Sequence, residues 1–139
     1  MIIPRAVLLA SLAAAPVAAQ SQPQIEKRYS PDYNPCIEAS GGVTSEMMSC
    51  TGAEIDRQDA RLNQAYTMVM RALPPAKKVA LRNSERAWVK ARDARCYRDS
   101  ASMRGGSGEG ILYSGCILEE TIKRTVFLEN YGTLGGGKR

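Results

Sequence analysis

Few residues in this chain could do chemistry. There are four cysteines, Cys36, Cys50, Cys96 and Cys116, and no histidine. A Ser or Cys nucleophile therefore lacks its usual base. Zinc would want closely paired cysteines or Cys with His, and no two cysteines here are that close. The remaining candidates are charged. Asp59, Arg92 and Arg124 each fall on an apolar helical stripe, and Glu85 lies close to the Arg92 face. Isolated charges at such positions are costly, whereas paired and hydrogen-bonded ones are tolerated. The expectation is a half-buried ion-pair network, with Asp59 accepting from Arg92, Arg124 or both and Glu85 as a further acceptor. A catalytic reading would need an acid and a base with separated pKa values. Arginine neighbours would keep Asp59 ionised, and no poised second group is evident. The expected protein is not an enzyme and carries no cofactor or metal.

Two other stretches draw notice. Residues 104–110 contain four glycines with Ser107 and Glu109. A phosphate-binding loop would need a preceding strand and a Gly-Lys-Ser/Thr helix start, and neither is present. The stretch reads as a flexible connector, with Glu109 as the candidate partner-contacting residue. Glu119 and Glu120 read as a solvated helix face. Basic residues are mixed with acids and not interleaved with aromatics, so nucleic acid is not an expected partner.

The elements that must position these residues are helices. Met48, Ile55, Leu62 and Val69 recur every seven residues, with Tyr66 and Leu73 at added i+4 positions, which predicts a helix over 45–73. Thr44 is the expected N-cap, and Glu46 suits the positive end of the helix dipole. Pro74 and Pro75 stop that helix and start the next, over 76–102. There Leu81, Ser84, Trp88 and Arg92 share a face. A third helix is predicted over 111–131, with Tyr113, Ile117, Thr121, Arg124, Leu128 and Tyr131 in line. The fold class is all-α: a small bundle of about three helices whose first two form a long antiparallel hairpin. Trp88, Leu62 and Tyr66 are its expected core anchors.

That hairpin brings Cys50 and Cys96 to similar heights, and Cys116 returns to the same end, so all four sulfurs gather at one pole. Geometry leaves three pairings open. The local ones, Cys36–Cys50 and Cys96–Cys116, are favoured because each ties a loop to an adjacent helix end.

The chain's first residues read as an export signal. Residues 1–5 are short and basic, residues 6–15 are small and apolar, and Pro16-Val17-Ala18-Ala19 suits a signal peptidase, so residues 1–19 are expected to be removed after Ala19. No cysteine follows the cut, so no membrane anchor is expected, and the four cysteines suit two disulfides in a periplasmic or secreted protein. The mature balance is 18 basic to 14 acidic residues, or +4. Residues 20–35, rich in Gln, Ser and Pro, are expected to be a flexible leader, and residues 132–139 a flexible tail.

Four spaced groups carry a likeness to a known family. They are Cys50-x3-Glu54; Asp59-x2-Leu62-Asn63-x2-Tyr66; Trp88-x3-Arg92-Asp93-x2-Cys96; and Cys116-x4-Thr121-x2-Arg124-x3-Leu128. The ordered set resembles the LprI-type lysozyme-inhibitor domain, a small exported helical module, over residues 36–131. Glu120 departs from the pattern, which has an apolar residue before the Thr. The resemblance implies an exported, non-catalytic binding protein with lysozyme as its partner. The competing reading is a structural or adaptor module of the cell envelope that binds a partner protein or an anionic surface polymer. Animal lysozymes of the common type are basic, so a chain of net +4 gains no long-range attraction to them.

Overall fold

The computed structural model describes residues 22–131. The expected signal peptide (1–19) and tail (132–139) lie outside the described residues. The described chain is all-helical: α1 (Gln22–Glu26), α2 (Tyr33–Ala39), α3 (Thr44–Ala72), α4 (Pro75–Ser100), a 3-10 turn (Ala101–Met103) and α5 (Gly108–Glu129). There are thus five α-helices among the described residues, where about three were expected.

The boundaries follow from local chemistry. Leu73 is extended (φ −83°, ψ 145°), as a residue preceding proline must be, and Pro74 and Pro75 then open α4. At the other end of α4, Gly105 takes φ +78°, a backbone region that costs other residues a Cβ clash. That allows α5 to start at Gly108, three residues before the expected 111. Thr44 is the first residue of α3, not its cap; Val43 precedes it and offers no side-chain bond.

Helix α5 is the central element. It packs against both α3 and α4, which make little direct contact with each other. Its sequence explains this position. Ile117, Leu118, Thr121, Ile122, Thr125 and Leu128 are all buried, a stripe wide enough to serve two neighbours. The highly charged α4, by contrast, buries only Leu81, Cys96 and Ser100.

The core has two parts. In one, Ile25 joins Leu118 and Ile122, with Tyr29, Tyr33 and Ile55 packed around them. In the other, Ala65, Leu81 and Leu128 are surrounded by Leu62, Tyr66, Val69, Leu73, Phe127 and Tyr131. Two expectations are corrected here. The described part of the flexible leader is folded: Ile25 is only 1% exposed, and Pro35 sits in the first turn of α2, where no intrahelical N–H is needed. Trp88 is half-buried and belongs to neither part of the core.

Ile122 joins α5 to the leader and has no exposed surface. Ile122→Ala is expected to lower unfolding free energy by about 3 kcal/mol, the usual cost of a core cavity. The expected reading is a lower urea midpoint at unchanged slope.

Candidate functional site

The most deeply buried acid is Glu54 on α3, with 0% side-chain exposure. Its carboxylate is enclosed by donors. The Ser30 amide and Gln58 Nε2 donate to Oε1 at 2.9 and 2.6 Å. The Ser30 hydroxyl and Arg57 Nε donate to Oε2 at 2.5 and 2.9 Å. Burial pushes the Glu54 pKa up, but hydrogen bonds from Ser30, Gln58 and Arg57 outweigh it and hold the group below its ordinary 4.5. Gln58 Nε2 and Arg61 Nη1 also donate to the Arg28 carbonyl, both at 2.8 Å, and the Arg28 guanidinium pairs with Glu129 at the end of α5. Nearby, the Tyr29 hydroxyl is pushed up to about 12 by burial and by Tyr33. The carboxylate therefore holds the leader across α3. It is saturated with donors and has no open side for a substrate.

A second polar group lies between α4 and α5. Arg124 Nε and Nη2 donate to Glu85 Oε1 at 2.9 and 2.6 Å, and Nη2 also reaches Ser84 Oγ at 2.8 Å. The Arg124 and Glu85 side chains are 12% and 15% exposed. The Arg124 guanidinium lies 4.4 Å from the Phe127 ring centre and 5.7 Å from that of Trp88, and Arg92 stacks on the same indole at 5.0 Å. Trp88 is thus a platform for two cations rather than a core anchor.

Asp59 does not join this group as expected. Arg92 Nε turns to the adjacent Asp93 at 2.9 Å, and its Nη1 reaches Thr121 Oγ1 at 3.4 Å. Asp59 makes no ion pair or hydrogen bond with the described residues and feels Arg92 only from beyond ion-pair distance. Burial raises its pKa, Asp56 adds to the rise, and the pull of Arg92 does not cancel it. Its carboxyl is therefore held above the ordinary 3.8, because the pull of Arg92 is weaker than the cost of burial.

The cysteines are bonded as Cys36–Cys50 and Cys96–Cys116, with Cα separations of 5.8 and 5.5 Å. They fasten α2 to α3 and α4 to α5 near the glycine turn. A cleft of about 590 Å³ opens at that pole, lined by Thr44, Met48, Tyr97, Glu109, Gly110 and Tyr113 among others. Among the described residues, the exposed side chains of Met48, Tyr97 (57%) and Tyr113 line it, Val43 adjoins the lining residue Thr44, and Met103 (52%) lies against Gly108 of the glycine turn. Met48 sits so close to Gly110 that an added Cβ would meet its methyl at 2.7 Å. Glu109 is not on a loose connector. It lies in the first turn of α5, where its Oε2 accepts the Gly105 amide at 2.9 Å, and Arg104 stacks on Tyr97 at 5.2 Å. Glu120 accepts from Lys123 at 2.9 Å and Arg95 at 3.3 Å, which explains how an acid is accommodated there.

Charge is divided unevenly. Helix α4 carries eight Lys and Arg against three acids, whereas the other described residues carry eight against eleven. Among the described residues no helix is long and apolar enough to cross a membrane, and no cluster of His, Cys, Asp or Glu is placed to hold a metal ion.

Glu54 and Asp59 should titrate with opposite sign. A lowered native pKa means that the contribution of Glu54 is complete above its ordinary value of 4.5 and disappears as pH falls through the native value. A raised native pKa means that Asp59 favours folding at low pH and loses that contribution as pH rises through the native value. At pH 7, Glu54→Gln is expected to cost about 3 kcal/mol, since it removes the charge from a donor-filled buried site. Asp59→Asn should leave stability unchanged or slightly raised. Urea titrations from pH 3 to 7 would measure both, and the decline of wild-type stability below about pH 4.5 should flatten in Glu54→Gln.

The sequence profile of the family described as lysozyme inhibitor LprI matches residues 36–128. An uncharacterized protein of Rhizobium meliloti (strain 1021) is 34% identical over 93 residues, covering 58% of this chain and 67% of that protein. No solved structure matches the chain. The matched span runs from the first disulfide cysteine to the last buried leucine of α5 and takes in Glu54, Trp88, Arg92 and Arg124, and on it the chain belongs to the LprI lysozyme-inhibitor family.

Proposed function

We propose that this protein is an exported, non-catalytic inhibitor of lysozyme that meets the enzyme with the disulfide-braced pole around the glycine turn. The observation that carries the reading is the family match across nearly the whole folded chain. Two disulfides are consistent with an oxidising, extracytoplasmic setting, and so is the export signal read in residues 1–19.

The choice of surface rests on exposure and rigidity. Methionine and tyrosine are favoured at protein interfaces because they offer large contact area, Met with an adaptable side chain and Tyr with a polar tip. Met48, Tyr97, Met103 and Tyr113 supply this at one end of the molecule. The two disulfides fasten the helix ends beneath them, so little order need be gained on binding. Glu109 contributes by holding the turn rather than by reaching a partner. The basic surplus on α4 does not forbid a basic enzyme, because the other described residues are acidic in sum.

The test is lysozyme activity on cell walls with and without the mature protein at low and moderate salt. Inhibition at micromolar protein is expected, and Tyr97→Ala/Tyr113→Ala should weaken it at least tenfold (~1.4 kcal/mol) at unchanged helical content. No inhibition by the wild type would remove the reading. Inhibition that survives the double substitution would remove the pole as its surface.

A further inference from the structure

The outer flank of α4 bears a row of four cations, Lys78, Arg82, Arg86 and Lys90, each four residues from the next. On a helix that spacing stacks them along one ridge, about 6 Å apart and about 18 Å from first to last. Arg82, Arg86 and Lys90 are exposed and Lys78 is half-buried. None of the four makes an ion pair with a described residue.

Like charges at successive i,i+4 positions repel one another, and a solvated helix face ordinarily offsets them with acids. Here two of the three acids of α4 are engaged elsewhere. Glu85 is held by Arg124 at 2.6 Å and Asp93 by Arg92 at 2.9 Å. Asp99 lies with Arg95 in the cleft beside Cys116. The fold therefore keeps a self-repelling row and takes the nearby carboxylates away from it. Its exposed members, Arg82, Arg86 and Lys90, are not among the buried residues by which α4 packs.

We propose that this ridge is a second binding surface, distinct from the pole, and that its occupant is an extended, phosphate-bearing linear polymer. Charge complementarity selects a polyanion. The two central arginines suit phosphate, whose oxygens match the guanidinium fork. The single-file arrangement suits a chain that can place an anion at each step. A lipid surface fits less well. Helices that lie in a membrane interface insert large apolar groups such as Trp, Phe or Leu, whereas the apolar side chains flanking this row are Val79 and Val89. Release of counterions from the polymer would drive the association and make it fall steeply with salt.

The experiment measures binding of the mature protein to purified poly(glycerol phosphate) chains across a salt series. The expected log–log salt slope is about −3 for four phosphate contacts on a single flexible strand. Arg82→Gln/Arg86→Gln should lose at least tenfold in affinity and flatten the slope. Lys27→Gln/Arg71→Gln removes the same charge from exposed positions elsewhere and should stay within twofold. Both variants should keep wild-type stability, because no substituted side chain is buried. Arg82→Gln/Arg86→Gln should also keep full lysozyme inhibition if the pole carries it, which separates this proposal from the preceding one. Equal loss in both variants would reduce the effect to net charge and overturn the ridge. Equal binding of free glycerol phosphate would overturn the polymer. Binding to phosphatidylglycerol vesicles but not to the polymer would overturn it in favour of lipid.

Discussion

The carboxylate of Glu54 is the constraint on which the amino-terminal half of the fold depends. An ionised acid with no exposed surface is tolerable only where donors replace its water. Two of those donors come from Ser30, outside α3, so the charge is satisfied only when the leader lies across the helix. That placement seats Ile25 against Leu118 and Ile122 and brings Tyr29 and Tyr33, with Ile55, against the same cluster. The apolar contacts supply the attraction, and the carboxylate selects the register, because a leader displaced by one residue would leave Glu54 short of donors.

The same logic separates the two faces of α4. Its inward side joins α5 through Leu81, Cys96 and the Arg124–Glu85 pair, whose guanidinium also lies against Phe127 and Trp88. Hydrogen bonds and ring contacts together compensate the arginine for lost solvent, and no buried side-chain polar atom among the described residues lacks a partner. The outward side has no such compensation and keeps its cations in water.

The long helices were legible because their signals are local. A seven-residue apolar recurrence, two adjacent prolines and a glycine cluster mark α3, α4 and α5 to within a few residues. What was illegible depends on contacts between distant segments. The buried face of α3 near its start is Cys50, Thr51, Glu54 and Gln58, a mainly polar stripe, whereas the apolar series points to Met48, which is exposed. Hydropathy cannot distinguish a polar residue facing water from one facing a hydrogen-bonding leader. Asp59 misled for the same reason. Its spacing suggested a partner across the bundle, but Arg92 had a nearer carboxylate in Asp93. The leader itself was obscured by composition, since helices of five and seven residues are too short to display a period. One signal for Glu54 was present: with Thr51, Gln58 and Ala65 it forms a 3-4-7 series, the spacing of a buried helical face.

The charge division bears on how one small domain can hold two binding surfaces. Long-range fields act on the molecule's net charge and dipole, while short contacts act on local patches. Among the described residues the basic surplus is confined to α4, with eight basic against three acidic residues, and the remainder is acidic in sum, with eight against eleven, so charge is unevenly divided along the domain. The cleft around Met48, Tyr97 and Tyr113 is lined by α3, α4 and α5, with Cys50, Cys96 and Cys116 bonded nearby. The ridge is on α4 alone and reaches back toward the proline corner. Such a protein could rest on an envelope polymer along α4 and still present its braced pole to an arriving enzyme, provided the two surfaces do not compete for the same residues. Lys90, the end of the ridge nearest the pole, lies seven residues before Tyr97, about 10 Å along α4, while the central Arg82 lies 15 residues and about 22 Å from it.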